Sequence, residues 1–454
     1  MPKLSYNIPF RRYSAIISVL IVLIMTVLDV SVVNVTLPVL AVKFGVSDSV
    51  AVWIVTVYQL IVTMLLLPLS SIGDRYGYKR NFLWGVAIFT VASLFCALAD
   101  SFSMIVAARL IQGIGAALVM SVNIALTRTI YPKKILGRGL ALNAISIAVA
   151  TAAGPTLAGF ILSFASWHWL FIINIPFGII AFIVALKRLP PNPPREIKGE
   201  FDWLSGVMNV VVFGLIFYAL GSFAKRGDTA ISLLLLVAGL IIGRFYVRRQ
   251  FQRPEPLLPV DLFKSRVFSL SICTSICSFI AQNLAIISLP FLFLNSYHFS
   301  EVATGLLITP WPLATMIISP LAARFVERHN PAITAGVGLA VYVVGLILIL
   351  TAPTENISLW NMVWRIAVCG VGYGLYQTPN NIVMVFSTPF ERTGGAGGMQ
   401  GTARLIGQTL GATLVTVIFA LFYKEPVRIC LCIAILFALI GTVLSMLRTD
   451  KSDK

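Results

Sequence analysis

Charge is what this sequence has least of. Asp, Glu, Lys and Arg make up 11% of its 454 residues, less than half of the roughly 25% found in soluble domains. No stretch between apolar runs is long enough to fold as a domain of its own, which argues against an appended signalling or catalytic domain. No GxxxxGK[ST] segment occurs, so nothing here cradles the phosphates of ATP. Histidine occurs three times, as His168, His298 and His329. Each lies near an expected helix end, apart from any serine or cysteine nucleophile, so no enzyme activity is expected. The six cysteines (Cys96, Cys273, Cys277, Cys369, Cys430, Cys432) all fall in apolar segments, where free cysteine packs as a small hydrophobe. Cys273 and Cys277 share a helix face, but no His or second cysteine pair joins them, and no metal site is expected.

What is present is apolar: 58% of the residues are hydrophobic and the mean hydropathy is +0.92. Apolar stretches of about 20 residues, the length that crosses a bilayer as a helix, recur from Tyr13 almost to the end. The chain therefore reads as an all-α integral membrane protein, because in lipid only helices satisfy their own backbone over runs of this kind. Charge, Pro and Gly divide it into 14 candidate helices, near 13–37, 51–72, 81–99, 103–127, 139–163, 168–187, 202–222, 229–247, 267–294, 302–323, 332–352, 359–387, 397–422 and 427–447. The first run is too long for a signal peptide and reads as a retained helix.

With both termini assigned to the cytoplasm, most of the 34 lysines and arginines fall inside. Only Lys43, Lys225, Arg226, Lys424 and Arg428 lie outside, and Arg109, Arg365 and Arg404 sit within spans. That asymmetry follows the positive-inside rule. It accounts for the net charge of +17 through anionic lipid headgroups, without nucleic acid as a partner.

The chain also repeats itself. NIALTRTIYPKKILGRGLALN from Asn123 is echoed by NNIVMVFSTPFERTGGAGGMQ from Asn380, pairing Asn123 with Asn380, Pro132 with Pro389, Gly137 with Gly394 and Asn143 with Gln400. At the same offset GIG (Gly113 to Gly115) meets GVG (Gly370 to Gly372), and GPT from Gly154 meets GAT from Gly411. SSIGDRYG from Ser70 has a weaker echo in ARFVERHN from Ala323. These matches imply two six-helix halves in parallel relation, as in carriers that rock around a midplane site. The division expected is residues 1–188 for the first bundle, 189–266 for a linker (PPNPPREIKGE, 190–200) and an inserted helix hairpin, and 267–454 for the second bundle.

Five segments carry a family resemblance. LDVSVVNVTLP (28–38), SSIGDRYGYKR (70–80), RLIQGIGAA (109–117), GPTLAG (154–159) and WHWLFIINIPFG (167–178), in this order, resemble the motifs of the 14-span drug:proton antiporters of the major facilitator superfamily. The departures are Ser70 for a Gly, Tyr78 for an Arg, and Ala150 and Ala158 for glycines; the small-for-small changes keep close helix packing. The resemblance implies a major facilitator fold of two six-helix bundles plus two inserted helices. It also implies proton-driven export without a cofactor from a bacterial inner membrane.

Asp29 is the only acid well inside a span of the first half. An acid at depth costs about 2.5 to 3.5 kcal/mol on insertion scales and faces a cavity or a partner. Burial disfavours its charged form, so reversible protonation is its expected task; a structural helix-to-helix hydrogen bond is the bland alternative. Arg109, always charged, could pair with it, and the resemblance assigns such an arginine to proton coupling; otherwise it snorkels to the interface. Asp74, Arg75, Gly77, Lys79 and Arg80 form a short turn that the resemblance makes a gate, although topogenic charge alone would explain Lys79 and Arg80. Gly154 and Pro155, with Gly159, form a bend or a tight seam in the fifth span.

The second half has no acid deep in a span. It offers amides and aromatics instead, which suit a broad cavity for amphipathic ligands. The cavity candidates are Asn34, Tyr58, Gln59, Gln282, Asn283, Trp311, Tyr376, Gln377, Asn380, Asn381, Gln400 and Arg404. The expected activity is proton-coupled efflux of small amphipathic or cationic organic compounds by a monomer. The rival is proton-coupled transport of one metabolite, an amino acid, polyamine or siderophore-like anion, which the embedded Arg404 favours.

Overall fold

The computed structural model describes residues 9–132, 136–191, 201–223, 229–253, 256–353, 357–388 and 393–448. The polar linker from residue 192 to 200, Lys225 and Arg226, and Pro389 of the repeat lie outside them. Among the described residues there is no strand, as the backbone rule for lipid requires.

The first half holds α1 (Pro9–Phe44), α2 (Trp53–Tyr76), α3 (Tyr78–Ala97), α4 (Phe102–Ile130), α5 (Leu136–Phe164) and α6 (Asn174–Arg188). Then come α7 (Trp203–Ser222) and α8 (Thr229–Phe251). The second half holds α9 (Arg266–Phe291), α10 (Pro310–Val326), α11 (Pro331–Leu350), α12 (Leu359–Phe386), α13 (Thr393–Leu421) and α14 (Pro426–Met446). Side-chain caps start several helices where the apolar runs begin: Ser101, Ser265, Ser300 and Ser358 each accept the backbone N–H three residues on.

Thirteen helices in the described residues are long and apolar enough to cross a membrane. The fourteenth, α12, has the length at 28 residues but carries Asn361, Arg365, Gln377, Asn380 and Asn381. The expected tenth span is present as Glu301–Val326, interrupted only at Thr309, which divides a short helix, Glu301–Ile308, from α10. Pro310 lacks the N–H that a continuous helix would use.

The repeat seen in sequence is a repeat of contacts. In the first half α1 packs on α5 and α6, α4 on α2 and α3, and α3 on α6; in the second α9 packs on α13 and α14, α12 on α10 and α11, and α11 on α14. The glycine pairs show why. A Cβ on Gly113 would stand 3.1 Å from the Tyr58 carbonyl, and one on Gly370 would stand 2.2 Å from the Trp311 carbonyl. A Cβ on Gly115 would meet Phe89 N at 2.5 Å, and one on Gly372 would meet Tyr342 N at 2.3 Å. Absence of a side chain thus lets α4 and α12 approach their neighbours in the same way.

The halves meet along three lines: α1 on α9, α2 on α13, and α5 on α10 with its preceding short helix. The inserted hairpin lies across the second of these, because α7 packs on both α2 and α13. Asn209 of α7 donates to the Met64 carbonyl at 2.7 Å. At the head of the hairpin Asp202 accepts from Arg249 at 3.0 Å and from Arg253 at 3.0 Å.

Candidate functional site

Asp29 and Arg109 form an ion pair with no solvent exposure on either side chain. They come from α1 and α4, which the fold brings into contact. Burying two charges is costly unless their remaining hydrogen-bonding capacity is met, and here amides meet that of Asp29 and of Arg109 Nη1, while Arg109 Nη2 is buried without a partner. Gln112, one turn along α4, donates to Asp29 Oδ1 at 3.0 Å and accepts from Arg109 Nη1 at 2.6 Å. It also donates to Ser93 of α3 at 2.9 Å. Asn174, at the start of α6, donates to the same Asp29 oxygen at 3.2 Å. Arg109 Nε reaches the Ile54 carbonyl at 3.2 Å, and its guanidinium lies 4.2 Å from the Tyr58 ring centroid, a cation–π geometry. One charge pair therefore ties α1, α3, α4, α6 and the head of α2 together. Arg109 is fully buried among helices, whereas a snorkelling arginine would reach the protein surface. Gln112 and Asn174 were not singled out from sequence, although both lie inside quoted motifs and Gln112 stands three residues from Arg109.

Of the cavity candidates, Asn34 and Tyr58 are buried, and Asn34 Oδ1 and the Tyr58 hydroxyl have no hydrogen-bond partner. Gln59 and Asn283 face each other across the halves, with Asn283 Nδ2 donating to Gln59 Oε1 at 3.3 Å and to the Gln408 carbonyl. Gln282, Gln377, Asn381, Gln400 and Arg404 are partly exposed.

Asn380 and Tyr376 are placed elsewhere, inside the second half. Asn380 donates to Ser275 at 2.8 Å and accepts from Arg448 at 2.6 Å, and the Tyr376 hydroxyl accepts from Ser278 at 2.6 Å. Arg448 just beyond α14 is buried and takes up these acceptors, so the two side chains hold helices together rather than face open space. Trp311 is buried edge-on against Tyr342, ring centroids 5.4 Å apart.

The turn between α2 and α3 is built by Gly77 at φ +110°, a conformation suited to glycine. Lys79 donates to the Leu186 carbonyl at 2.8 Å, closing the end of α6, where cations suit the helix dipole. Tyr78, the departure from the family pattern, donates to Asp74 at 2.9 Å. Arg75 bonds Ser71 one turn back, and Arg80 is exposed.

Gly154, Pro155 and Gly159 lie in a packed seam. A Cβ on Gly154 would stand 2.5 Å from Ser31 of α1, and one on Gly159 would stand 2.7 Å from the Glu301 carbonyl. From the other side, a Cβ on Gly305 would meet the Pro155 carbonyl at 2.3 Å. Two hydroxyl pairs also bridge the halves, Thr63 with Thr409 at 2.9 Å and Thr156 with Thr309 at 2.6 Å. Among the described residues no group of His, Cys, Asp and Glu is arranged to hold a metal.

Comparison with known proteins agrees with this architecture. The profile of the Major Facilitator Superfamily matches residues 19–412 and 271–453. An uncharacterized transporter of Escherichia coli, YebQ, is 46% identical over 99% of this chain and 98% of its own. The riboflavin transporter RibZ of Clostridioides difficile is 26% identical, covering 90% and 89% of the two chains, and the multidrug efflux pump LfrA of Mycolicibacterium smegmatis is 29% identical, covering 93% and 83%. Among solved structures, a POT family transporter aligns with a TM-score of 0.72 at 16% identity over 96% of each chain. This multi-pass helical membrane protein, a transporter by family and fold, belongs to the Major Facilitator Superfamily.

Proposed function

We propose that the chain is a proton-coupled exporter of small amphipathic organic compounds. In this reading it works as a monomer by alternating access, driven by the proton gradient alone. It sits in a bacterial inner membrane with both termini in the cytoplasm. The observation that carries the reading is the fully buried Asp29–Arg109 pair. Protonating Asp29 removes one charge of the pair and leaves Arg109 buried without its counter-ion, an arrangement several kcal/mol less favourable in systems of this kind. The helices that frame the pair must then repack. Two of them are coupled to the second half: α1 directly through α9, and α2 through α13. A proton on Asp29 is thus converted into a bias between two arrangements of the halves, which is what coupling requires.

The similarity to the multidrug efflux pump LfrA supports the export direction, and the amide pair Gln59–Asn283 between the halves supports a polar midpoint on the ligand path. Both oxygens of Asp29 are taken up by Arg109, Gln112 and Asn174, which argues against direct binding of a cationic substrate by Asp29. Transport of a single metabolite is the second reading, favoured by the unpaired Arg404 and by the similarity to a riboflavin transporter.

The test is transport in proteoliposomes with a pH-sensitive dye inside. Substrate addition should move protons with wild-type protein and not with Asp29→Asn at equal insertion. Undiminished proton movement in Asp29→Asn would remove Asp29 from the mechanism.

A further inference from the structure

Among the described residues, the interior charges do not cancel. Asp29 and Arg109 neutralise each other, while Arg404 of α13 has no ion pair among the described residues, and its Nε is sealed from solvent without a hydrogen-bond partner. Arg404 lies on the helix that forms the seam: Leu405 packs with Met25 and Tyr58 of the first half, and Thr409 meets Thr63. The Arg404 helix packs on α12, which carries Tyr373. Tyr373 is 1% exposed and its hydroxyl also lacks a partner. The adjoining Tyr342, its ring centroid 5.8 Å away, repeats the pattern with a buried, unpartnered hydroxyl. Buried polar groups without partners are rare in folded proteins. A guanidinium is a fork of donors matched to carboxylate and phosphate oxygens, and a neutral phenol adds an O–H beside it.

We propose that Arg404, assisted by the Tyr373 hydroxyl, is the subsite that receives an acidic group of the transported compound, so that the preferred substrates are amphipathic organic anions. This deepens the export reading above and rests on it for the direction of transport, not for the charge preference. Aromatic surface for a lipophilic body lies close along the same helix: Gly407, one turn on from Arg404, packs against Phe279, whose ring centroid is 6.0 Å from that of Tyr373.

Three probes of one shape separate the charge term: anthracene-9-carboxylate, its methyl ester and 9-(aminomethyl)anthracene. Binding to purified full-length protein, read by fluorescence, should favour the carboxylate at least tenfold over the other two. Arg404→Gln should abolish that preference and Arg404→Lys should retain part of it. Without ligand, Arg404→Gln should melt no lower than wild type, since it removes an unpaired charge; a purely structural arginine would melt lower. Equal or absent binding of the carboxylate, or a preference that survives Arg404→Gln, overturns the proposal. Absence of substrate-driven proton movement by the wild-type protein, with the carboxylate preference intact, would sink the export reading alone.

Discussion

Thr63 and Thr409, 346 positions apart in the chain, meet hydroxyl to hydroxyl at 2.9 Å where α2 of one half crosses α13 of the other. A carrier that alternates between two openings has to move α2 against α13, so this contact cannot persist through the cycle. Cysteines at both positions in a variant lacking the six native ones should therefore trap one state under oxidation. Transport in vesicles is expected to fall at least tenfold with oxidant and to return with dithiothreitol. Full transport by the cross-linked protein would show that this seam does not open.

The buried pair lends itself to a double-mutant cycle. Arg109→Met leaves Asp29 buried without its counter-ion and is expected to destabilise by about 3 to 5 kcal/mol. Asp29→Leu combined with Arg109→Met should recover much of that loss, because the amides then face an apolar pair instead of a lone charge. The double variant should bind ligand and fail to move protons. Thermal melts beside proton flux would separate the two effects; a double variant as unstable as the single would refute the ion-pair account.

Gln112 is expected to matter as much as the charges it bridges. Gln112→Leu removes a donor to Asp29 and to Ser93 and an acceptor from Arg109. Groups left unsatisfied in this way cost about 1 to 3 kcal/mol. A melting midpoint within error of wild type would show that the pair does not depend on its amide.

Gly305 and Gly397 offer a matched comparison. A Cβ at Gly305 would lie 2.3 Å from the Pro155 carbonyl, whereas one at Gly397 would meet nothing within 4 Å. Gly305→Ala should force the short helix away from α5, at about 1 to 3 kcal/mol, with reduced transport. Gly397→Ala, in a helix interior, should be neutral or stabilising by up to about 1 kcal/mol. Equal effects at the two sites would mean that the close approach is not a constraint.

Asp202 sets a pH dependence at the head of the inserted hairpin. Burial pushes its carboxyl up, but hydrogen bonds from Arg249 and Ser205 and the Arg249 charge outweigh it, so the group titrates below its ordinary value. Its contribution is present above the unfolded carboxylate range and is lost as pH falls through the lowered folded value. For a pair this accessible to solvent the expected size is at most about 1 kcal/mol. Asp202→Asn should lower the melting temperature at neutral pH and converge with wild type in acid. A constant gap between the two across that range would contradict the assignment.

The sequence by itself determined where the helices run and that they come in two sets. Span length follows from local apolarity, and the matched glycines Gly113 with Gly370 and Gly115 with Gly372 carry the same packing demand wherever they stand. Asp29 and Arg109 were legible because a charge in an apolar run needs a reason whatever surrounds it. Their partnership with Gln112 and Asn174 was not legible, because an amide in a helix has several faces it could serve and only the crossing of α1, α4 and α6 selects one. The same limit applies to Asn380 and Tyr376: composition marked them as polar and central, but the return of Arg448 from the end of α14 turned them inward. Hydropathy acts along the chain, whereas a buried polar group takes its partner from whichever helix the fold sets beside it. That choice belongs to the tertiary structure, and it separates here the Asp29–Arg109 pair, whose charges are matched, from an Arg404 whose charge is not.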